Sequence, residues 1–248
     1  MANLALVAVE DVARALGGNP KEATPESVAA WMRSHYLKTG AARFNYNPTL
    51  KAARLVAQGK LPFDNGLSMA GSTGSRAGYR QNAAVFTALE PYLAGIAGRG
   101  YPLKFAALKI GSVGGTPVYV GVKSAFAVSR HGKASVVVPN FRKSSGPTAE
   151  ELGTACSIAV HSVARDDLFG ADIECISTPG ESRRLERDFV LLRQADLRLY
   201  TEAEVVSFLS VYLRAVAILA EEGAPMRSPG LSLYRSVDPD APSLFGGG

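Results

Sequence analysis

The sequence contains little cysteine, with only Cys156 and Cys175 in 248 residues. Two thiols without a C-x-x-C spacing or a neighbouring histidine exclude a zinc cluster and a disulfide scaffold. The three histidines, His35, His131 and His161, share no metal-ligand spacing either. We therefore predict two buried cysteines without a disulfide, and neither a metal nor a cofactor.

Long apolar runs are also scarce. The apolar stretch at the amino terminus is too short to span a membrane, and no basic segment precedes it, which argues against a signal peptide. Ser210 and Arg214 interrupt the apolar region near the carboxyl terminus. Because 47% of the residues are hydrophobic and 20% are charged, we expect a globular cytoplasmic protein with no membrane partner.

Motifs of nucleophilic and nucleotide-hydrolysing enzymes are missing. The glycine-rich loop "GSTGSRAGYR" (71–80) lacks the Gly-Lys-Ser/Thr of a P-loop, and no strand is predicted before it. No serine stands in a G-x-S-x-G frame between a strand and a helix. The chain is therefore expected to be non-catalytic rather than an enzyme.

One cluster of acids keeps an enzymatic alternative open. Asp166, Asp167, Asp172 and Glu174 lie close together, and the strand "DIE" places Asp172 and Glu174 on one face, as a metal-dependent nuclease requires. The predicted order of helix, three strands, helix and strand is also broadly that of a restriction-type nuclease core. Such a core takes its carboxylates from the second and third strands, which contain none here. A metal-dependent nuclease is therefore the second alternative.

The patterns that are present predict an α+β fold. Apolar residues at helical spacing indicate helices at 24–38, 49–59 and 80–97, the last with a break or new start at Pro91. The segments "LKFAALKI", "TPVYVGVKSAFAV" and "KASVVVPNF" are rich in β-branched and aromatic residues and predict three strands in a meander. We expect a helical region (1–97) and then a mainly antiparallel sheet with two packed helices (98–223).

Two capping boxes mark the helices that pack on this sheet. Thr148 with Glu151 and Thr201 with Glu204 have the T-x-x-E spacing that starts a helix, and two further strands are predicted between those helices. The last helix is apolar around most of its circumference, so it is either a central core helix or a helix shared with another subunit. A homo-oligomer or a subunit of a larger complex is expected. Residues 224–248 are predicted to be a flexible tail.

The distribution of charge is the strongest functional signal. Residues 91–149 carry eight Lys or Arg and no Asp or Glu, whereas residues 150–222 carry seven Arg and fourteen acids. If the three strands form one sheet, its exposed face presents positive charge that no neighbour neutralises. Phosphates of nucleic acid are the commonest anion for such a surface. We therefore predict a nucleic-acid-binding accessory protein, with DNA and RNA undecided.

The predicted contacts come from these strands and from the glycine-rich loop. Alternation along β-structure places Tyr119 and Lys123 on one face, where a ring and a cation would share a surface. The turn "RFNYNPT" (43–49) adds rings and amides beside an arginine. The full set of candidates is Arg76, Arg80, Lys104, Lys109, Tyr119, Lys123, Arg130, Lys133, Arg142 and Lys143.

The first alternative explains the same charges without nucleic acid. Opposite charges in adjoining segments are also typical of a protein whose basic strands meet its acidic region, within the chain or in a neighbouring subunit. The function would then be self-assembly or the binding of a protein partner. The position of the basic side chains relative to the acids of the chain separates the two hypotheses.

Overall fold

A computed structural model describes residues 3–37, 45–103, 105–123, 126–130, 132–142, 147–163, 168–181, 184–229 and 234–237, the last as backbone only. It has the α+β architecture that the sequence predicts, with mixed rather than purely antiparallel sheets. The helices are α1 (Val9–Leu16), α2 (Pro25–Trp31), α3 (Asn47–Ala57), α4 (Phe63–Ser72), α5 (Tyr79–Ala88), α6 (Glu90–Ala94), α7 (Ala149–Val163) and α8 (Glu202–Glu221). A π-helical segment, Met32–Tyr36, extends α2, and a 3-10 turn, Arg76–Gly78, precedes α5.

The strands form two sheets. They are β1 (Leu6–Ala8), β2 (Gly100–Pro102), β3 (Phe105–Val113), β4 (Thr116–Val122), β5 (Phe126–Arg130), β6 (Lys133–Asn140), β7 (Asp172–Ser177), β8 (Val190–Arg193) and β9 (Tyr234–Val237). The small sheet has the order β1-β4-β3-β9, and the central sheet has the order β2-β5-β6-β7-β8. The pairs β1/β4, β3/β9 and β6/β7 are parallel.

The predicted three-strand meander is wrong. The segment "TPVYVGVKSAFAV" contains two strands, β4 and β5, which belong to different sheets. The chain changes sheet around Lys123 without a glycine or proline, so the sequence carries no turn signal there. The basic residues of 91–149 are consequently divided between two sheets rather than gathered on one.

Helices cover the central sheet on both faces. One core joins α1, α2, α7 and α8 to the small sheet and to one face of the central sheet. A second core packs α3 to α6 against the opposite face, through Phe126, Val128, Val137 and Ile176. The central sheet therefore has no broad solvent-exposed face among the described residues, and its charged side chains lie near strand ends. Each of the two cores contains residues from both sides of residue 97. The division of the chain into a helical region (1–97) and an α+β region (98–223) stays a prediction.

Most helix predictions are confirmed, and their local causes are visible. Thr148 and Glu151 cap α7 reciprocally, and Thr201 and Glu204 do the same for α8. The sequence did not predict α4, because glycines inside a helix lower its propensity. At Gly66 the reason for glycine is packing, since a Cβ there would lie 2.6 Å from the Phe86 ring.

The carboxyl-terminal part contains the long apolar helix α8 and, within the predicted flexible tail, backbone pairing that the sequence did not predict. Helix α8 has a mean hydropathy of 1.8 and is, by length and composition alone, the one helix of the described residues that could cross a membrane. It packs on α2 and β3 through a face on which Tyr212, Val216 and Leu219 are fully buried, while its Val206 is exposed. Within the predicted flexible tail, β9 pairs with β3, and the Pro225 carbonyl accepts a hydrogen bond from Leu4.

Candidate nucleic-acid interface

The parallel pair β6/β7 defines one end of the central sheet, which we call the carboxyl edge. Helix α7 connects β6 to β7 in a β-α-β crossover, so both strands end on the same side. Residues 141–142 and 178–180 follow these strands, and Asn140, the last residue of β6, donates a hydrogen bond at 3.0 Å to the Oγ of Ser177, the last residue of β7. Ligands of open α/β sheets bind outside the carboxyl ends of the strands. The charges at this edge are therefore the first to consider.

Two arginines lie close together at the carboxyl edge, and one of them forms an ion pair with Asp11. Arg142 Nη2 donates to Asp11 Oδ1 at 2.6 Å. Arg14, one turn further along α1, feels the charges of both Asp11 and Arg142, and its buried Nη2 has no hydrogen-bond acceptor among the described residues. Burial and the neighbouring guanidinium of Arg142 lower the pKa of Arg14. Arg14 and Arg142 are therefore close enough for each guanidinium to oppose the charge of the other.

Two further acids, Glu10 and Glu151, act on the same arginine, Arg14. Burial raises the pKa of Glu10, against the opposing effect of Arg142 and Lys123. A carboxyl group with a raised pKa gives up its proton less readily and carries less negative charge near its titration range. Among the acids that act on Arg14, Asp11 has the largest effect, followed by Glu151 and Glu10.

Arg187 ties the carboxyl edge to the helical layer. Its guanidinium donates to the carbonyls of Phe141 (3.3 Å) and Thr178 (2.9 Å), which follow β6 and β7. It also donates to Tyr46 Oη at 2.9 Å and to Gln81 Oε1 at 3.3 Å. One side chain therefore connects two sheet ends with α5 and with the turn before α3.

The two loops singled out in the sequence lie side by side at this edge. Asn82 of α5 donates to the carbonyls of Asn45 and Gly78 and accepts from Thr49 Oγ1 at 2.8 Å. Gly74 has a φ of +89°, and a Cβ there would lie 3.1 Å from Pro48, so close approach of the loops favours glycine. The turn "NYNPT" (45–49) and the loop 71–80 consequently form one surface.

This surface exposes Arg76, Arg80, Asn45 and Asn47. Neither arginine forms an ion pair with a residue that the structure describes. The ring of Tyr46 is half-buried, edge-on to Phe141 at 5.9 Å and under the Arg187 guanidinium at the same distance. The Tyr46 ring is therefore already in contact with two side chains, and the exposed chemistry of this surface is cationic and amide.

The opposite end of the central sheet is neutralised by the acids of the chain itself. Lys133 Nζ lies 2.7 Å from Asp172, and Arg130 Nη2 lies 3.5 Å from Glu174. Arg130 also lies over the Tyr92 ring, 5.3 Å from its centre. The prediction of a free cationic platform at Arg130 and Lys133 is wrong for this reason: β7 brings acids of the 150–222 segment directly beside the basic hairpin.

The remaining candidates are dispersed. Lys109 and Tyr119 are cross-strand partners in the small sheet and are half-buried. Val118, Val120 and Val122 are fully buried, which confirms the predicted alternation along β4. Lys123 follows β4 and lines a pocket with Asp11, so it belongs to the carboxyl edge. Lys104 and Lys143 lie outside the described residues.

The acids considered for metal binding are engaged in other contacts. Asp172 and Glu174 lie on one face of β7, as predicted, but Asp172 pairs with Lys133 and the buried Glu174 accepts from Tyr92 Oη at 2.6 Å. No group of three His, Cys, Asp or Glu side chains suited to a metal occurs within the part of the chain that the structure describes. Asp166 and Asp167 lie outside it.

Sequence reasoning missed Arg14 and Arg187. Arg14 stands in a short amphipathic helix beside Glu10 and Asp11, where an arginine is an ordinary surface residue. Arg187 lies in an acidic segment, and its partners are 9 to 141 residues away. No local pattern marks either residue, so only the tertiary structure identifies them.

Comparisons with known proteins give no information about the function of this chain. The sequence matches no protein-family model and no curated protein. A solved structure described as "Crystal structure of SSO0001" is similar over 74% of this chain and 82% of that chain, with 10% identity and a TM-score of 0.34. A likeness at that level carries no argument about this chain, so the function must be inferred from its own residues.

Proposed function

We propose that this protein is a non-catalytic, cytoplasmic nucleic-acid-binding subunit that contacts the phosphate backbone through the carboxyl edge. The observation that carries the proposal is the excess of cations there. Arg76 and Arg80 are exposed without an ion-pair partner among the described residues, and Arg142, which is paired with Asp11, lies near Arg14. Phosphates are the anions that such a strip of arginines attracts most readily in a cell.

The chemistry of the surface favours contact with the backbone over contact with bases. The half-buried Tyr46 ring is already in contact with Phe141 and Arg187, so it is not a stacking platform. Arginines and amides bind phosphate oxygens without reading sequence. We therefore expect binding with weak sequence preference and a steep dependence on salt.

The decisive experiment makes the same change of charge at two different sites and compares the binding of the two variants. The double variant Arg76→Glu/Arg80→Glu reverses two cations at the carboxyl edge. The matched control Lys60→Glu/Arg99→Glu reverses two exposed cations beyond the other end of α3, where Gly59 and Gly98 meet. Helix α3 has 11 residues and is about 16 Å long, so the two pairs are well separated.

Affinity for labelled single-stranded and duplex oligonucleotides, measured over a salt series, gives the result. We expect the carboxyl-edge variant to bind at least about tenfold more weakly, with a shallower salt slope, because each lost phosphate contact removes about one released counterion. The control should stay within about threefold of the parent. Equal losses in both variants would show a general charge effect, and no binding by the parent would refute the proposal.

A protein-binding role is the second candidate. The observation that favours it is that basic and acidic segments do meet, at Lys133 with Asp172 and at Arg130 with Glu174. These contacts lie within one chain, however, and leave fewer charges there for a neighbour. A homo-oligomer or larger complex is proposed with them, and light scattering across a salt series tests it: a species heavier than the monomer that dissociates at high salt favours charge-driven assembly.

A further inference from the structure

A pocket of about 220 Å³ opens beside the carboxyl edge. Its floor is the small sheet, through Leu6 and Ala8 of β1 and Gly121 of β4, and its walls are Asp11, Tyr36 and Lys123. Asp11 also accepts the hydrogen bond from Arg142. The pocket is therefore continuous with the strip of arginines described above.

Small residues in register explain why the pocket is hollow. Gly121 pairs with Ala8 on one side and with Ala107 on the other, so three neighbouring strands place alanine, glycine and alanine in one row. Larger side chains in that row would fill the floor. The volume is below the roughly 300–1,000 Å³ of sites for drug-sized ligands, which suits one small charged group better than a whole nucleotide.

Lys123 provides the charge of this pocket. It forms no ion pair or hydrogen bond with a described residue, whereas the carboxylate of Asp11 is bonded to Arg142. Tyr36 donates to the Asn3 carbonyl at 3.2 Å, and burial raises its pKa, so its hydroxyl stays neutral at physiological pH. The pocket thus presents the Lys123 ammonium group, which lies in the field of the Glu10 carboxyl but has no direct ion-pair partner among the described residues, beside a neutral hydroxyl.

We propose that this pocket binds a phosphate monoester, and that its source is the terminal phosphate of a nucleic-acid strand lying on the carboxyl edge. A phosphate monoester carries between one and two negative charges at pH 7 and has three acceptor oxygens, which suits Lys123 with the arginines nearby. A terminal phosphate is flanked by only one sugar, so a pocket of about 220 Å³ admits a strand end more readily than an internal phosphodiester. The choice of a strand end rests on the proposed function, whereas the affinity for phosphate monoesters does not.

The test compares ligands that differ only at their ends. Calorimetric titration uses one single-stranded oligonucleotide with a 5′ phosphate, with a 3′ phosphate or with hydroxyls at both ends, and separately a nucleoside monophosphate and inorganic phosphate. Lys123→Gln removes the cation, and Ala8→Val narrows the floor with a residue suited to the extended backbone at this position. Lys60→Gln is the matched control, and thermal unfolding shows that each variant is folded.

We expect one phosphorylated end to bind about tenfold more tightly than the hydroxyl end, as one added charge-assisted contact provides. Lys123→Gln and Ala8→Val should abolish that difference, and Lys60→Gln should keep it. Equal affinity for all ends overturns the pocket proposal and leaves backbone binding intact. Binding of the nucleoside monophosphate that depends on Lys123, without oligonucleotide binding, keeps the phosphate site and refutes the proposed function. No binding of any ligand refutes both.

Discussion

Asp11 and Arg142 are 131 residues apart in the sequence, and their side chains meet at 2.6 Å between Oδ1 and Nη2. This contact neutralises one of the two guanidinium groups that face Asp11. Asp11→Asn should therefore act on stability and on binding in opposite directions. We expect the free energy of unfolding to fall by about 1–2 kcal/mol, because Arg142 loses its ion pair and Arg14 loses the acid with the largest effect on it.

The same variant should bind nucleic acid more tightly, by about threefold or more at low salt, because a bound phosphate replaces the lost carboxylate. Glu221→Gln is the matched control, since it removes one exposed negative charge at the end of α8. Urea denaturation and oligonucleotide titration measure the two effects. Weaker binding by Asp11→Asn than by the control would contradict the assignment of the carboxyl edge as the interface.

Arg187→Ala is predicted to be the most destabilising change at the carboxyl edge. The substitution leaves the carbonyls of Phe141 and Thr178 without this donor, and it also removes the contacts to Tyr46 and Gln81. An unsatisfied buried carbonyl costs about 1–3 kcal/mol, so we expect a loss of about 2–4 kcal/mol in the free energy of unfolding.

Arg184→Ala tests whether position rather than charge matters. Arg184 lies in the same loop and pairs with Glu181, and both side chains are about two-thirds exposed. Surface pairs of this kind contribute little, so we expect a change below about 0.5 kcal/mol. Arg187→Lys should be more stable than Arg187→Ala but less stable than the parent, because an ammonium group cannot make the four hydrogen bonds of the planar guanidinium at once. Similar losses at Arg184 and Arg187 would show that the network is not structural.

These contacts show where sequence reasoning succeeds and where it ends. The helices that begin at Thr148 and Thr201 were predictable because a capping box lies within four residues. The alternation of β4 was predictable because it depends on neighbours two residues apart. In contrast, the pairs Asp11–Arg142 and Lys133–Asp172 depend on which strands become neighbours, which no local pattern specifies.

One pattern in the sequence does argue against an exposed cationic face on the central sheet. The run Val136–Val138 is continuously apolar, as is typical of a strand covered on both faces, whereas a strand with one exposed face alternates. That run argued against an open cationic face on the central sheet. The absence of acids in 91–149 could not decide the matter, because the neutralising acids Asp172 and Glu174 come from the next segment.

Tyr92→Phe tests the buried contact at the opposite end of the sheet. Tyr92 donates to Glu174 at 2.6 Å, and both side chains are about 95% buried. Burial, with the adjacent Glu174 carboxylate, raises the pKa of Tyr92, so the hydroxyl remains a donor at neutral pH. Loss of this donor should cost about 1–3 kcal/mol, because the only remaining partner of the Glu174 carboxylate in the described part of the chain is Arg130, at 3.5 Å.

Denaturation of Tyr92→Phe and of the double variant Tyr92→Phe/Glu174→Gln measures the coupling. If the cost arises from an unsatisfied carboxylate, removal of its charge should recover part of the stability. Nucleic-acid binding should be unchanged in both variants, since this end of the sheet is outside the proposed interface. A loss of nucleic-acid binding in a folded Tyr92→Phe variant would contradict the assignment of the interface to the carboxyl edge.

Glu204 predicts how stability depends on acid pH. Its pKa is lowered to about 2, first by the hydrogen bond and ion pair with Lys21 at 2.6 Å and then by the Thr201 cap. The unfolded chain has the ordinary value near 4.5, so between these values it binds more protons than the folded chain. The contribution of Glu204 is therefore complete above about pH 4.5 and is lost as the pH falls towards 2.

Glu204→Gln should flatten the dependence of the free energy of unfolding on pH between about 4.5 and 2, measured by urea denaturation at intervals of half a pH unit. Lys21→Gln should flatten it as well, because the Lys21 hydrogen bond is the largest cause of the lowered pKa. Above pH 5 the curves of the parent and of both variants should run parallel, since Glu204 is then ionised in both states. If the free energy of unfolding of Glu204→Gln fell with acid pH as steeply as that of the parent, other carboxylates would govern the loss of stability in acid.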